Sequence, residues 1–109
     1  MQKDLTIGIL NGVYGSLLTT RQREIITQYY DYDLSLMEIS QNLGISRQGV
    51  LDAIKKGSEQ LKEYERNLKV VANKQELNDG LNEIVSLINT GKVDDACVLA
   101  KSLISKNQE

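Results

Sequence analysis

Six residues in the middle of the chain carry most of the chemistry it offers: Ser46, Arg47, Gln48, Asp52, Lys55 and Lys56. They make up the candidate nucleic-acid-binding set. An arginine can aim two donors at the O6 and N7 of guanine, and a glutamine can pair donor and acceptor with adenine. Arg47 and Gln48 therefore suit base edges, and Lys55 and Lys56 suit phosphates as point charges. Two features work against this reading: Gly49 has no side chain to read with, and Asp52 repels a phosphate backbone. Between Arg21 and Lys56 the five basic residues (Arg21, Arg23, Arg47, Lys55, Lys56) are balanced by Glu24, Asp31, Asp33, Glu38 and Asp52. Each phosphate contact that is not made forgoes counterion release. The expectation is weak, mostly non-specific duplex binding.

Other chemistry is largely excluded by composition. The chain has 109 residues, no His and one Cys, so a transition-metal site or a histidine-assisted triad is nearly excluded. Cys97 cannot form an internal disulfide, which fits a reducing compartment. There is no phosphate-cradling glycine loop, and Asp31, Asp33 and Glu38 have no pocket motif around them. No enzyme, metal, cofactor or small-molecule substrate is expected. A net charge of −2 argues against coating nucleic acid by bulk electrostatics. The apolar run Leu5–Leu18 is too short to span a bilayer and is interrupted by Gly8, Asn11, Gly12 and Gly15. No membrane insertion is expected, and the cytoplasm is the expected location.

The elements that hold these residues read as helix throughout, with no proline in the chain. In the first segment Ile9, Leu10, Val13, Tyr14, Leu17 and Leu18 are expected to share a buried face. Thr19 with Gln22 and Ser35 with Glu38 have the spacing of capping boxes. The second of these starts a short helix, buried through Leu36, Ile39 and Leu43, that stops at Gly44 in a left-handed turn. Ser46 then caps another helix, which faces inward through Val50, Ala53, Ile54 and Leu61. Tyr29 and Tyr30 follow Ile25 and Ile26 at core spacing, while Tyr32 falls in a loop. A short capped helix, a tight turn and a second capped helix have the spacing of a helix-turn-helix, in which the second helix enters a major groove.

The run LLTTRQREIITQYYDYDLSLMEISQNLGISRQGVLDAIKKGSEQLKEYE resembles the bacterial YlxM family, within a match over about residues 10 to 70. Its most specific pieces are Leu18-Thr19, Tyr29-Tyr30, Leu34-Ser35-Leu36, Glu38-Ile39 and Ser46-Arg47-Gln48 followed by Asp52. The run is also similar to the sigma-factor domain that reads the upstream promoter element. That domain carries basic residues where this chain has Gly49, Leu51 and Asp52. The resemblance implies an all-helical fold and an accessory or regulatory role in the signal recognition particle pathway. The partner could be DNA, the particle's RNA or its protein. Two alternatives stay open: a sequence-specific DNA-binding transcription regulator, and a helical protein-interaction module that binds no nucleic acid.

Beyond Lys56 the apolar pattern lengthens. Leu61, Tyr64, Leu68 and Val71 step by three and four and form the candidate dimer interface of an expected homodimer. A capping pattern at Asn73–Glu76 suggests a helix break or a shift of face. The last helix follows Gly91 and is expected to bury Val93, Ala96, Cys97, Leu99, Ala100, Leu103 and Ile104. The expected fold is all-α: a helix-turn-helix unit of three to four helices over 1–58, then a helical extension over 59–109 containing a long helix and a C-terminal hairpin. The extension is expected to continue the first unit and to serve dimerisation.

Overall fold

A computed structural model describes residues 3–107 of the chain. The protein is all-α. Among the described residues the six α-helices are α1 (Leu5–Tyr14), α2 (Thr20–Ile26), α3 (Leu36–Leu43), α4 (Arg47–Leu68), α5 (Val70–Asn89) and α6 (Val93–Asn107). They form two compact units, Met1–Lys69 and Val70–Glu109.

The first unit is assembled from locally encoded starts and stops. Asp4 caps α1 by accepting from the Thr6 N–H at 2.9 Å. Both capping boxes form. The Thr19 hydroxyl accepts from the Gln22 N–H at 3.2 Å and the Ser35 hydroxyl from the Glu38 N–H at 3.1 Å, and the Gln22 and Glu38 side chains reach back in turn. Each box satisfies helix-end donors that would otherwise lack partners.

Between α2 and α3 the chain widens into one π-helical turn over Thr27–Asp31, closed by the Tyr32 N–H on the Thr27 carbonyl at 3.2 Å. The Lys3 ammonium donates to the carbonyls of Tyr29 (2.8 Å) and Leu34 (2.7 Å) and lies 3.9 Å from the Tyr29 ring centre. It also pairs with Asp33 at 3.1 Å, a residue held at φ 55°. One N-terminal cation thus pins the connection that delivers the chain into α3.

The core around α3 is built from Ile25, Ile39, Val50 and Ile54, with Tyr29, Tyr30, Leu36 and Leu43 packed against it. Helices α1, α2 and α3 all pack on α4. The approach of α2 is close enough to require a glycine. A Cβ at Gly57 would stand 2.3 Å from Cδ1 of Ile26, a side chain with no exposed surface. Gly57→Ala gains about 1 kcal/mol of helix propensity, but crowding a packed core costs about 1–3 kcal/mol. The expected result is a net loss of about 1 kcal/mol, read as a lower urea midpoint with an unchanged slope.

Three expectations change on contact with the structure. The first concerns α1 and the 3-10 turn Gly15–Leu17 that follows it, which bury Ile7, Leu10 and Tyr14 but leave Ile9, Val13 and Leu17 exposed. Both sets recur at helical spacing, and the one facing α4 is buried. The second concerns the proposed dimer seam. Leu61 is fully buried inside the first unit and cannot face a second copy, because it continues the inward stripe of Val50, Ile54 and Gly57 on α4. Tyr64 is half-buried, its ring 6.0 Å from that of Tyr14 and its hydroxyl donating to the Leu17 carbonyl. Leu68 is exposed, and Val71, half-buried, belongs to the second unit. Third, the helix break falls at Lys69 (φ 54°), so Asn73–Glu76 lies within α5. Because α4 runs unbroken through residues 58 and 59, the compact units divide after Lys69.

The second unit is a hairpin of α5 and α6 closed at Gly91, whose φ of 79° is the left-handed cap its position called for. Of the residues expected to be buried in α6, Ala96 is enclosed, and Leu99, Ala100 and Leu103 are half-buried. Val93, Cys97 and Ile104 are exposed. Two helices can cover only the stripes turned toward each other, and the adjoining stripes stay in solvent.

Candidate nucleic-acid interface

The turn between α3 and α4 is tight and fully specified. Gly44 takes φ 66° and ψ 32°, and its N–H bonds the Ser40 carbonyl. The Ile45 N–H bonds the same carbonyl at 3.2 Å, while the Ser40 hydroxyl donates to the Ile45 carbonyl at 2.7 Å. Ile45 packs onto the core cluster. The next residue, Ser46, opens α4 with its side chain accepting from the Gly49 N–H at 2.9 Å. This serine is a helix cap first, because its hydroxyl oxygen is engaged in starting α4.

The positions of the predicted site residues follow from the face that α4 buries. With Val50, Ile54, Gly57 and Leu61 turned inward, helical spacing carries Gln48, Asp52, Lys55 and Lys56 to the outside. These four and Arg47 are all exposed. No hydrogen bond or ion pair among the described residues engages Arg47, Lys55 or Lys56, so the three cations face solvent. Gln48 and Asp52 are bound to each other, the amide Nε2 donating to the carboxylate Oδ1 at 3.0 Å. Their partnership is an i, i+4 pair on one helix face. It engages one of the two amide N–H donors that Gln48 would present to a base, and it holds a negative charge beside Lys55 and Lys56. Glu59, also exposed, adds a second carboxylate one turn further on.

The outer face of α4 is therefore geometrically open and electrostatically balanced. Such a surface can approach a phosphate backbone but receives little of the counterion release that drives tight binding. Leu51, exposed between the charges, puts an aliphatic side chain on this face, the type that suits a thymine methyl. The sequence reading names Leu51 only as a departure from the sigma-factor domain and leaves it out of the candidate set, although its spacing from Val50 and Ile54 places it outside the buried stripe.

The tyrosines divide as their spacing indicates. Tyr29 and Tyr30 are half-buried and packed edge to face, ring centres 4.9 Å apart. Burial pushes the Tyr30 phenol above its ordinary value, as befits a core residue and not an open stacking platform. Tyr32 stands exposed. Among the described residues no helix is long and apolar enough to cross a membrane, and no three His, Cys, Asp or Glu side chains are placed to hold a metal ion.

Comparison with known proteins follows the same outline. Residues 1–98 match the sequence model of the family UPF0122, described as "Putative helix-turn-helix protein, YlxM / p13 like". The chain is 35% identical over 103 residues to a UPF0122 protein of Desulforamulus reducens, covering 92% of this chain and 88% of that one. A UPF0122 protein of Caldanaerobacter subterraneus subsp. tengcongensis is 45% identical over 84 residues, 77% of this chain and 72% of its own. One from Lacticaseibacillus casei is 37% identical over 95 residues, 87% and 84% of the respective chains.

Proposed function

Since the chain belongs to UPF0122, the YlxM / p13-like family, we propose that it is a non-catalytic accessory or regulatory protein of the signal recognition particle pathway. In this reading it acts in the cytoplasm as a homodimer and meets nucleic acid weakly through the outer face of α4. The pathway comes from the family resemblance. The nucleic-acid contact is carried by one observation: Arg47, Lys55 and Lys56 stand exposed, with no hydrogen bond or ion pair to any described residue, on the second helix of a helix-turn-helix. Lys55 and Lys56 neutralise phosphates and Arg47 reaches a base edge, while Asp52 and Glu59 hold the affinity down.

Gel shifts of duplex DNA, and separately of the particle's RNA, at two salt concentrations test this. The expected result is binding in the micromolar range or weaker that falls only about tenfold as salt rises from about 50 to 200 mM, the shallow slope of two or three phosphate contacts. Lys55→Ala and Lys56→Ala should each weaken every sequence alike and lower the salt slope by about one counterion. Arg47→Ala should instead relax whatever base preference exists. Tight, sequence-selective duplex binding would make the protein a transcription regulator. No shift of either nucleic acid at tens of micromolar protein would leave a protein-interaction module.

A further inference from the structure

The hairpin α5–α6 leaves its most apolar surface uncovered. A groove of about 550 Å³ between the two helices is walled by Leu81 and Ile104 and floored by Ile84, Ala100 and Leu103. It continues past Ile84 and Ala100 into a second stretch of about 230 Å³ bounded by Ile88, Val93 and Cys97. Along its rims Leu81, Val85 and Ile88 on α5 are 48%, 56% and 52% exposed, and Val93 and Ile104 on α6 are both 60% exposed. On the order of 500 Å² of aliphatic surface per chain is left in water, at the upper end of what monomers tolerate. With the groove floor added, it approaches the roughly 800 Å² that each partner of a stable complex buries.

We propose that this groove is closed by the same groove of a second copy, the two hairpins forming an antiparallel four-helix bundle about a twofold axis along its length. The proposal deepens the homodimer reading above and rests on it. It moves the interface from the predicted stripe of Leu61, Tyr64, Leu68 and Val71 to α5 and α6.

Two observations select a second copy as the occupant. The first is the pattern. Each helix carries two adjoining apolar stripes. One is used within the hairpin (Gly80, Ile84 and Leu87 on α5; Ala96, Leu99 and Leu103 on α6, all buried or half-buried), and the other is unused. That doubled stripe is what a helix in a four-helix bundle needs, since it has two neighbours. The second is charge. An isologous interface brings a surface against itself, so it cannot carry one sign of charge along its edge. By helical position the outer edge of the α5 stripe is bordered by Asn78, Asn82 and Asn89, whose amides both donate and accept, and the stripe carries a single charge, the exposed Lys74, at its N-terminal end. The α6 stripe is bordered by Asp94 and Lys101, one charge of each sign. In the proposed bundle the asparagine edge of one copy lies beside the Asp94 and Lys101 edge of the other, with no like charges opposed.

The test uses the full-length chain, with sedimentation equilibrium and the rate of Cys97 modification by a thiol reagent read together. Cys97 is the chain's one cysteine and borders the groove, so the bundle should shield it. The wild-type protein is expected to sediment at twice its 12.2 kDa. Its thiol should react about tenfold more slowly at 50 μM than at 1 μM, as mass action fills the dimer. Leu81→Glu and, independently, Ile104→Lys should give monomers with wild-type helicity and a fast-reacting thiol at both concentrations. Val98→Glu, a charge at an exposed position on the far side of α6, should remain dimeric, as should Ile9→Asp on α1. A monomeric wild type would overturn both the homodimer reading and this interface. A dimer that survives Leu81→Glu and Ile104→Lys, or one that Ile9→Asp dissociates, would overturn this interface alone and leave the homodimer standing.

Discussion

Ile39→Ala is expected to lower the unfolding free energy of the protein by about 3 kcal/mol, within the 2–5 kcal/mol typical of large-to-small substitutions at sealed sites. Ile39 has no exposed surface and lies in the cluster with Ile25, Val50 and Ile54 that joins α2, α3 and α4. It is the buried anchor of α3, a helix of only eight residues. Helices that short have little stability of their own and depend on packing, so the cavity should loosen the turn at Gly44 along with the core. Urea unfolding followed by circular dichroism would show the lower midpoint. Amide exchange in α3 should rise by more than in α1. A loss below about 1 kcal/mol would mean that the neighbouring side chains collapse into the space.

The second large effect is expected at Asp52. Asp52→Lys removes the carboxylate that holds the Gln48 amide at 3.0 Å and adds a cation beside Lys55 and Lys56. Two units of charge change on the face proposed to meet nucleic acid. Affinity for duplex DNA or for the particle's RNA should rise about tenfold near 100 mM salt, with the salt slope steeper by about one counterion. Asp52→Asn should fall between the two proteins, because it removes the repulsion without adding a phosphate contact. A salt-dependent gel shift measures both quantities. No change in either variant would place the outer face of α4 away from the nucleic acid.

The helix ends were legible because their determinants are short-range. A serine or threonine three residues before a glutamate or glutamine satisfies two backbone donors by itself, and Thr19–Gln22 and Ser35–Glu38 do so here. Gly44 and Gly91 were legible for a similar reason, since a left-handed turn disfavours any residue with a Cβ. The face of α4 that carries Gln48, Asp52, Lys55 and Lys56 followed from the period of Val50, Ile54 and Leu61.

Other features needed the tertiary structure, because the sequence allowed more than one answer. On α1 the stripe of Ile7, Leu10 and Tyr14 and that of Ile9 and Val13 are both apolar. Only the position of α4 decides that the first is buried. The π turn at Thr27–Asp31 has no signature in residue type; it is braced by Lys3, more than twenty residues away in sequence. The break at Lys69 has no glycine or proline to mark it, whereas the capping pattern at Asn73–Glu76, which allowed a break or a shift of face, lies inside an unbroken α5. Leu61 and Leu68 belong to one periodic stripe, yet one is sealed and the other 54% exposed. Periodicity gives the direction of a side chain about its helix axis and says nothing of where along that axis the neighbouring helices end.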